Sequence, residues 1–506
     1  MSVTAQDTNI RSTVGASGAV SGLTSVKAGL PPVVWLYLIA VVIPVGFNMG
    51  SVAMTGLRLL LFFTIIPMSI SLFSGKYGKV YPVDYLFFFH IVWMTFALIA
   101  NNPAGALQNV GSTAIEFLGG YVLARGCIRT PEAFAALIRA ILILVILSLP
   151  LAIVEARTGT AVLPALIEKV PGLTSVAQVT IEKRLGLNRV QAYFSHPIHY
   201  GLFCSVAMSL IFVGMRNIMS LGKRIVSGMA ITLGVFLSLS SGALLALMLQ
   251  FALMSWNHMF RKVTRRWLLL LGLFALAYVV VDLLSNRTPV RVLMSYATFS
   301  AHTAYYRSII FEWGMINVWN NPLLGLGFRN WIRPSFMHSG TVDNFWLVMA
   351  MRYGIPGFLL IAAGYADAIW RVGRQKMTPG TTLSDMRLAW MFTFLGLSFT
   401  LVTVHIWTSA YSFVFFLLGS GLWFASAVSG DSNATAPAVP TGPVHSRPSN
   451  LVLTRNAPEI SRRSDSADHV FARSPVPESP TARGEATPRQ TSRQLPYTRF
   501  PKDPEK

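Results

Sequence analysis

Two polar segments of the sequence concentrate side chains that can bind phosphate and move protons. Residues 184–203 read RLGLNRVQAYFSHPIHYGLF and contain two arginines, two histidines and two tyrosines. Residues 301–357 contain arginine, histidine and aspartate beside a Gly-Leu-Gly turn. Guanidinium groups bind phosphate oxygens through paired hydrogen bonds, and imidazole or carboxylate groups accept protons from hydroxyls. These residue types predict a site that holds a polyanion and activates a hydroxyl.

The arginines are the candidates for stabilising a phosphate leaving group. Arg189 and Arg307 stand among aromatic and histidine residues, which favours a functional role over a surface ion pair. Arg184 and Tyr200 flank the same segment and are further binding candidates. Four other arginines are explained equally well by ion pairs or lipid-headgroup contacts: Arg287, Arg291, Arg329 and Arg333.

The sequence does not decide which residue accepts the proton, and there are four candidates: His196, His199, His338 and Asp343. Aspartate can take the proton of a hydroxyl, and histidine has a pKa nearer the working pH. Neither segment has an acidic cluster with the spacing of metal ligands, and the two cysteines form no zinc motif. We therefore expect neither a metal nor another cofactor.

The composition identifies the environment in which this site must work. The chain has 506 residues, of which 53% are apolar and only 12% are charged, and its mean hydropathy is +0.54. A soluble chain carries roughly a quarter charged residues, so polar groups cannot cover this much apolar surface in water. The sequence predicts an all-α polytopic membrane protein. The net charge of +21 does not indicate nucleic-acid binding, because the basic residues follow the loops between apolar spans.

Apolar windows long enough to cross the hydrocarbon core recur along the chain. We count about twelve, at 33–49, 52–73, 83–100, 109–126, 136–154, 199–215, 223–239, 242–259, 266–284, 354–371, 386–404 and 408–428. A polar N-terminus precedes them at 1–30. A tail rich in Pro, Ser and Arg follows at 429–506, and its composition predicts disorder. The catalytic bundle is thus expected at 31–428.

Loop charges predict the orientation of the bundle. With a cytoplasmic N-terminus, the inner side receives 28 of the 41 Lys and Arg residues, whereas the short outer connections carry none. Both termini are therefore expected in the cytoplasm. Two long loops, 155–198 and 285–353, follow spans five and nine on the outer side. Eight of their ten basic residues are arginine, and the topology does not require them there.

Ionisable groups inside the spans are further candidates, because they are costly in hydrocarbon. Arg58 and Glu116 lie six and seven residues into spans entered from outside, roughly 10 Å below the outer surface. We interpret both as substrate-binding. The apolar stretch at 345–351 is too short to span, and we expect it to dip into the membrane before Gly354 starts the next span.

The loops resemble the O-antigen ligase and polymerase superfamily of bacterial surface-glycan enzymes. The family's Arg, its aromatic-small-His-Pro stretch and its span-opening Gly are matched by Arg189, Phe194, His196, Pro197 and Gly201. A Ser-rich turn follows in FLSLSSGALLAL at 236–247. The family's second-loop pattern is matched by Arg307, Trp313, Pro322, Gly325, Gly327, Asp343, Asn344, Gly354 and Gly357.

The resemblance implies a GT-C-like glycosyltransferase of the bacterial inner membrane that acts without a metal. Its implied substrate is a polyprenyl-pyrophosphate-linked oligosaccharide, whose pyrophosphate the loop arginines hold. Trp313 and Asn344 become substrate-binding candidates, and a polar loop residue activates the acceptor hydroxyl. A chain-length regulator of polysaccharide synthesis is a further implied partner.

Two departures from the family pattern favour a polymerase over a ligase. The turn at 240–242 reads Ser-Ser-Gly where many members have Ser-Arg-Gly, and His338 lies five residues before Asp343 instead of at the helix start. A ligase that transfers the glycan to a lipid-A core is the alternative. A twelve-span transporter is the alternative of another class. It is disfavoured because paired six-span halves would place the long central loop after span six, on the cytoplasmic side.

Overall fold

The described part of the chain is mostly helical, with very little β-structure. A computed structural model describes residues 29–50, 52–286, 292, 301–337 and 339–427. Arg287, Arg291, His338 and the tail from residue 428 lie outside the described residues, as does the N-terminus to residue 28. The helices are α1 Pro32–Val42, α2 Gly56–Phe73, α3 Pro82–Asn101, α4 Ala106–Ala114, α5 Gly120–Cys127, α6 Pro131–Thr158, α7 Val162–Ile167, α8 Pro197–Ser205, α9 Ala207–Ser209, α10 Leu221–Leu237, α11 Ser241–Met259, α12 Arg266–Leu284, α13 Ala301–Asn320, α14 Phe345–Arg374, α15 Thr382–Leu401 and α16 Thr408–Gly419.

Short irregular elements connect these helices. A π-helical segment, Ile115–Gly119, joins α4 to α5, and a second, Leu210–Gly214, extends α9. Single 3-10 turns occupy Pro103–Gly105 and Leu422–Ala425. The strands β1 Gly46–Met49 and β2 Val52–Thr55 form an antiparallel hairpin, and Gly46 also bridges to Thr174 of the first long loop.

Seven helical stretches are long and apolar enough to cross a membrane. They are Gly56–Phe73, Pro82–Asn101, Pro131–Thr158, Pro197–Gly214, Arg266–Leu284, Phe345–Arg374 and Thr408–Ala425. Each coincides with a span predicted from the sequence. The other five predicted windows fall on helices that are shorter or less apolar, so the count of twelve stays a prediction.

The surface of α12 shows most directly that this is a multi-pass membrane protein. None of its nineteen residues is buried within the chain, and its leucine, valine and phenylalanine side chains point outward all round. Its ring contacts to α15, from Trp267 to Phe392 and from Phe274 to Phe399, leave most of its apolar surface uncovered, and such a helix needs hydrocarbon around it. Phe63, Ile66 and Ile70 of α2 are likewise apolar and exposed.

A buried charge network fixes the N-terminal end of α3 against α5. Asp84 is fully buried, and its carboxylate lies 3.5 Å from the guanidinium of Arg125. The same carboxylate accepts hydrogen bonds from the Tyr121 hydroxyl at 2.6 Å and from the Tyr81 backbone N–H at 2.7 Å. With these bonds formed, the buried charge has partners and does not need solvent. Along its length α3 packs against α14, while α16 packs on α5 and α15 on α11.

Helix α14 folds back on itself at Gly354, whose φ of 70° and ψ of 178° are not helical. In a straight helix Trp346 and Tyr365 would be roughly 28 Å apart. Their ring centroids are instead 5.3 Å apart, so the segment before Gly354 lies against the segment after it. The expected break at Gly354 is thus confirmed, and it brings residues 343–353 back to the end of the bundle that carries the two long loops, here called the loop end.

Candidate functional site

A cavity of about 1000 Å³ lies at the loop end. Residues 184–198 of the first long loop line it, together with α13, the connection 326–343, the start of α14 and the short turn at 405–407. Five of the candidates named from the sequence share this cavity: Arg184, Arg189, His196, Arg307 and Asp343. Residues more than a hundred positions apart thus converge on one space.

The structure separates the two histidines of the HPIH motif. His196 precedes α8 and faces the cavity, while its Nδ1 accepts a hydrogen bond from the Ile198 backbone N–H. His199 lies inside α8, where it is buried and its Nε2 is 3.3 Å from the carbonyl oxygen of His405. Tyr200 is also buried, and its hydroxyl hydrogen-bonds to Ser148 at 2.9 Å. Neither His199 nor Tyr200 lines the cavity.

Other candidates make structural contacts away from the cavity. Arg58 forms an ion pair with Glu116 at 2.8 Å, which joins α2 to the π-helical segment. Asn344 caps α14, because its Oδ1 accepts the N–H of Leu347 at 3.0 Å. Trp313 packs within a hydrophobic cluster between α13 and α14.

Glu155, near the end of α6, positions the segment that carries Arg189. Its two carboxylate oxygens accept the backbone N–H groups of Gln191 at 2.8 Å and Ala192 at 2.9 Å. The N–H of Val190 bonds to the carbonyl of Leu237, at the end of α10. These bonds fix the backbone immediately after Arg189, so its guanidinium is held at the cavity wall.

Two arginines of the cavity, Arg189 and Arg307, here called the arginine cluster, have unused hydrogen-bonding capacity. Arg307 is only 7% exposed, and its Nε and Nη1 are buried without a hydrogen-bond partner among the described residues. The same is true of Nε of Arg189. Burial and the charge of Arg184 lower the pKa of Arg189 to about 10, although Asp343 opposes the shift. The carboxylate of Asp343 interacts with the guanidinium groups of Arg307 and Arg189. The N–H groups of these two arginines that lack a partner among the described residues could bind an anionic ligand.

Burial sets the protonation of the acidic and basic groups beside these arginines. It raises the pKa of Asp343, even though the charges of Arg307 and Arg189 oppose the shift. It lowers the pKa of His196 to about 4, and the charge of Arg189 adds to this effect. His196 is therefore a neutral imidazole at neutral pH, and because its Nδ1 accepts the Ile198 N–H, its proton lies on Nε2.

The Pro322–Gly327 turn explains why Arg352 reaches the cavity. Pro356 has no N–H, so the carbonyl of Arg352 lacks its helical partner. That carbonyl accepts the N–H of Gly327 at 3.0 Å, and the Met351 carbonyl accepts the N–H of Leu326 at 2.7 Å. A Cβ on Gly325 would lie 2.6 Å from the Arg352 backbone, so only glycine permits this approach. The turn thus anchors the backbone of Arg352 at the cavity wall.

One stretch of the chain matches the model of a known family. Residues 226–362 match the family model of the O-antigen ligases, Wzy_C. The match confirms the resemblance to the O-antigen ligase and polymerase superfamily, and it spans α11 to α13 and parts of α10 and α14, including Arg307, Asp343 and Arg352. No curated protein matches the chain significantly.

Sequence reasoning missed three residues that line the cavity of this O-antigen ligase-like bundle. Arg352 borders a predicted span, and its position two residues before Gly354 is the sequence signal that could have identified it. His405 and Trp407 lie in a short turn without Lys or Arg, so the charge pattern gives no sign that this turn belongs to a site. Arg329, which had been assigned equally to an ion pair, also lines the cavity, and its guanidinium donates to Asn101 at 2.5 Å.

The buried imidazoles predict a loss of stability in acid. Burial, the charge of Arg352 and that of His199 lower the pKa of His405 to about 3. Unfolded histidine binds a proton below about pH 6.5, whereas folded His405 and His196 do not until the pH falls to between 3 and 4. The unfolded state thus binds more protons within this window, so the free energy of unfolding falls as the pH drops from 6.5 to 4.

We expect the melting temperature in detergent to fall over this window by about 5 °C or more. His405→Gln should have a shallower fall than the wild type. His258→Gln, at an exposed position of α11, is the matched control and should parallel the wild type. Parallel curves for His405→Gln and the wild type would contradict a buried neutral imidazole at this position.

Proposed function

We propose that the protein is a polymerase that joins polyprenyl-pyrophosphate-linked oligosaccharide repeat units into exopolysaccharide, capsule or O-antigen. The reaction takes place at the loop end, on the outer face of the bacterial inner membrane, and both chain termini lie in the cytoplasm. A ligase that transfers the same donor to a lipid-A core or another acceptor is the second candidate, since the family model is that of O-antigen ligases.

The arginine-lined cavity is the observation that supports this proposal. Its volume of about 1000 Å³ reaches the upper end of the usual range for small-molecule sites, which suits a sugar pyrophosphate larger than a single metabolite. Buried N–H groups of Arg307 and Arg189 lack partners among the described residues.

The transfer exchanges one bond to the anomeric carbon for another. The bond from the anomeric carbon of the donor to the pyrophosphate oxygen breaks, and a bond to the oxygen of the acceptor hydroxyl forms. The hydroxyl proton passes to a base, and the polyprenyl pyrophosphate leaves with its negative charge. Arg189 and Arg307 stabilise that charge through donors already in place, so no metal is required to neutralise it.

Asp343 and His196 are the two candidate bases that line the cavity, whereas His199 does not line it and His338 lies outside the described residues. Burial raises the pKa of Asp343 and makes its carboxylate a stronger base, while the charges of Arg307 and Arg189 favour its ionised form. The one ring lone pair of neutral His196 already accepts the Ile198 N–H, so we assign the base to Asp343 and a hydrogen-bond donor role to Nε2 of His196. The arginine cluster thus serves the leaving group and keeps the base competent.

The decisive experiment uses purified protein in nanodiscs with lipid-linked repeat units. A polymerase produces a ladder of longer lipid-linked chains, with each added unit releasing one polyprenyl pyrophosphate. Addition of lipid-A core to the same reaction tests the alternative, because a ligase transfers glycan only when that acceptor is present. A protein that does neither, but moves the lipid-linked glycan across proteoliposomes, would contradict the glycosyltransferase proposal.

A further inference from the structure

An aromatic residue, Trp407, lies beside the two histidines that line the cavity, His196 and His405. Its side chain lines the cavity and is partly exposed to it. The ring centroid lies 5.9 Å from that of His196 and 5.5 Å from that of His405. The proposed transfer reaction assigns no role to this indole.

Trp407 is held rigidly on its buried side. The ring of His199 packs against it edge-on, with centroids 4.0 Å apart and planes inclined at 69°. His199 is itself fixed, because its Nε2 lies 3.3 Å from the carbonyl oxygen of His405. The buried histidine that does not reach the cavity therefore supports the indole that does.

The backbone around Trp407 is tied to both long loops. The N–H of Phe345, at the start of α14, bonds to the carbonyl of Val404 at 3.1 Å. The hydroxyl of Ser195 lies 3.2 Å from that of Thr408, whose φ of 50° is in the left-handed region. A non-glycine residue adopts this conformation only where its surroundings impose it. The indole is thus a fixed wall of the cavity.

Such a wall matches the chemistry of a pyranose ring. One face of many pyranoses carries C–H groups and is apolar, while the hydroxyls point outward from the ring. A tryptophan presents the largest flat apolar surface among the side chains, and covering it with C–H groups removes both surfaces from water. The neighbouring arginines bind the pyrophosphate attached to the same sugar.

We infer that Trp407 is the platform of a glycosyl subsite, on which a pyranose of the lipid-linked glycan stacks beside the arginine cluster. This inference rests on the proposed function. Trp407 is a substrate-binding residue, and His199 is a positioning residue that acts through it. The side chain therefore selects for a sugar with an apolar face and contributes nothing to binding of the pyrophosphate.

Two ligands separate the binding of the sugar by Trp407 from the binding of the pyrophosphate by the arginines. Polyprenyl pyrophosphate without sugar and the lipid-linked repeat unit are titrated against the protein in nanodiscs, and dissociation constants are measured for wild type and variants. Trp407→Ala should weaken binding of the repeat unit about tenfold, equivalent to about 1.4 kcal/mol, and leave binding of polyprenyl pyrophosphate unchanged. Trp407→Phe, which keeps a flat ring, should restore most of the affinity. Trp319→Ala, at an exposed position of α13 away from the cavity, is the matched control and should bind both ligands like the wild type.

The outcomes distinguish failure of the subsite from failure of the proposed function. Equal affinity of Trp407→Ala and wild type for the repeat unit overturns the subsite and leaves the proposed function intact. Equal losses for both ligands also overturn it, because a collapsed cavity explains them. If the wild type binds neither ligand, the proposed function is overturned, and the subsite with it.

Discussion

Replacing Arg307 by alanine should lower glycan transfer by at least about a hundredfold while leaving the protein folded. Arg307 is almost fully buried at the cavity wall, and two of its guanidinium nitrogens have no partner among the described residues. Removing a preorganised donor for developing negative charge costs about 10²–10³ in rate. The measurement is the initial rate of chain lengthening from lipid-linked repeat units by purified protein in nanodiscs.

The melting temperature of Arg307→Ala without ligand separates a catalytic role from a structural one. A buried guanidinium with unsatisfied N–H groups destabilises the empty protein, so its removal should leave the melting temperature unchanged or raise it. Arg307→Lys should be nearly as inactive as the alanine variant, because a point charge does not reproduce the paired hydrogen bonds of the guanidinium.

Arg157→Ala is the matched control for Arg307→Ala. Arg157 is exposed at the loop end and does not line the cavity, so its loss should leave the rate unchanged. Wild-type activity in Arg307→Ala would contradict the assignment of the arginine cluster to the leaving group. A large drop in melting temperature would instead identify Arg307 as a structural residue.

Gly354→Ala should have the largest effect on folding. A Cβ at this position would lie 1.9 Å from the carbonyl oxygen of Leu323, and the φ of 70° disfavours any side chain. Both the clash and the strain involve backbone, which cannot move without breaking the bond from the Ile355 N–H to the Pro322 carbonyl. We expect a destabilisation of about 3 kcal/mol or more.

Thermal unfolding in detergent, followed by size-exclusion chromatography, measures this effect. Gly354→Ala should yield little folded protein, or protein that melts about 10 °C lower. Gly272→Ala is the matched control, because nothing lies within 4 Å of a Cβ at that position of α12. It should melt at the wild-type temperature or slightly above it. A stable and active Gly354→Ala would contradict the described fold-back.

The chemistry of the cavity could be predicted from the sequence because residue type and local order carry it. Arg189 and Arg307 were recognisable among aromatic and histidine residues, and the family match confirms the superfamily to which these motifs point. The apolar windows were visible for a similar reason, since the length of an apolar run depends only on neighbouring residues.

Which side chains meet could not be predicted, because that depends on packing between distant segments. His196 and His199 are three residues apart in one motif, yet the first faces the cavity and the second supports Trp407. Arg58 and Glu116 were correctly recognised as unusual within spans, but the sequence could not reveal that they neutralise each other at 2.8 Å.

The sequence by itself determined a mostly helical membrane protein with arginine-rich segments, and it predicts a phosphate-binding chemistry for them. Only the tertiary structure decided that five of the candidates share one cavity and that Arg352, His405 and Trp407 complete its wall. The reason is physical. The fold-back at Gly354 and its hydrogen bonds to the Pro322–Gly327 turn join segments about thirty residues apart, and the turn at 405–407 reaches the cavity only because α14 and α8 pack beside it.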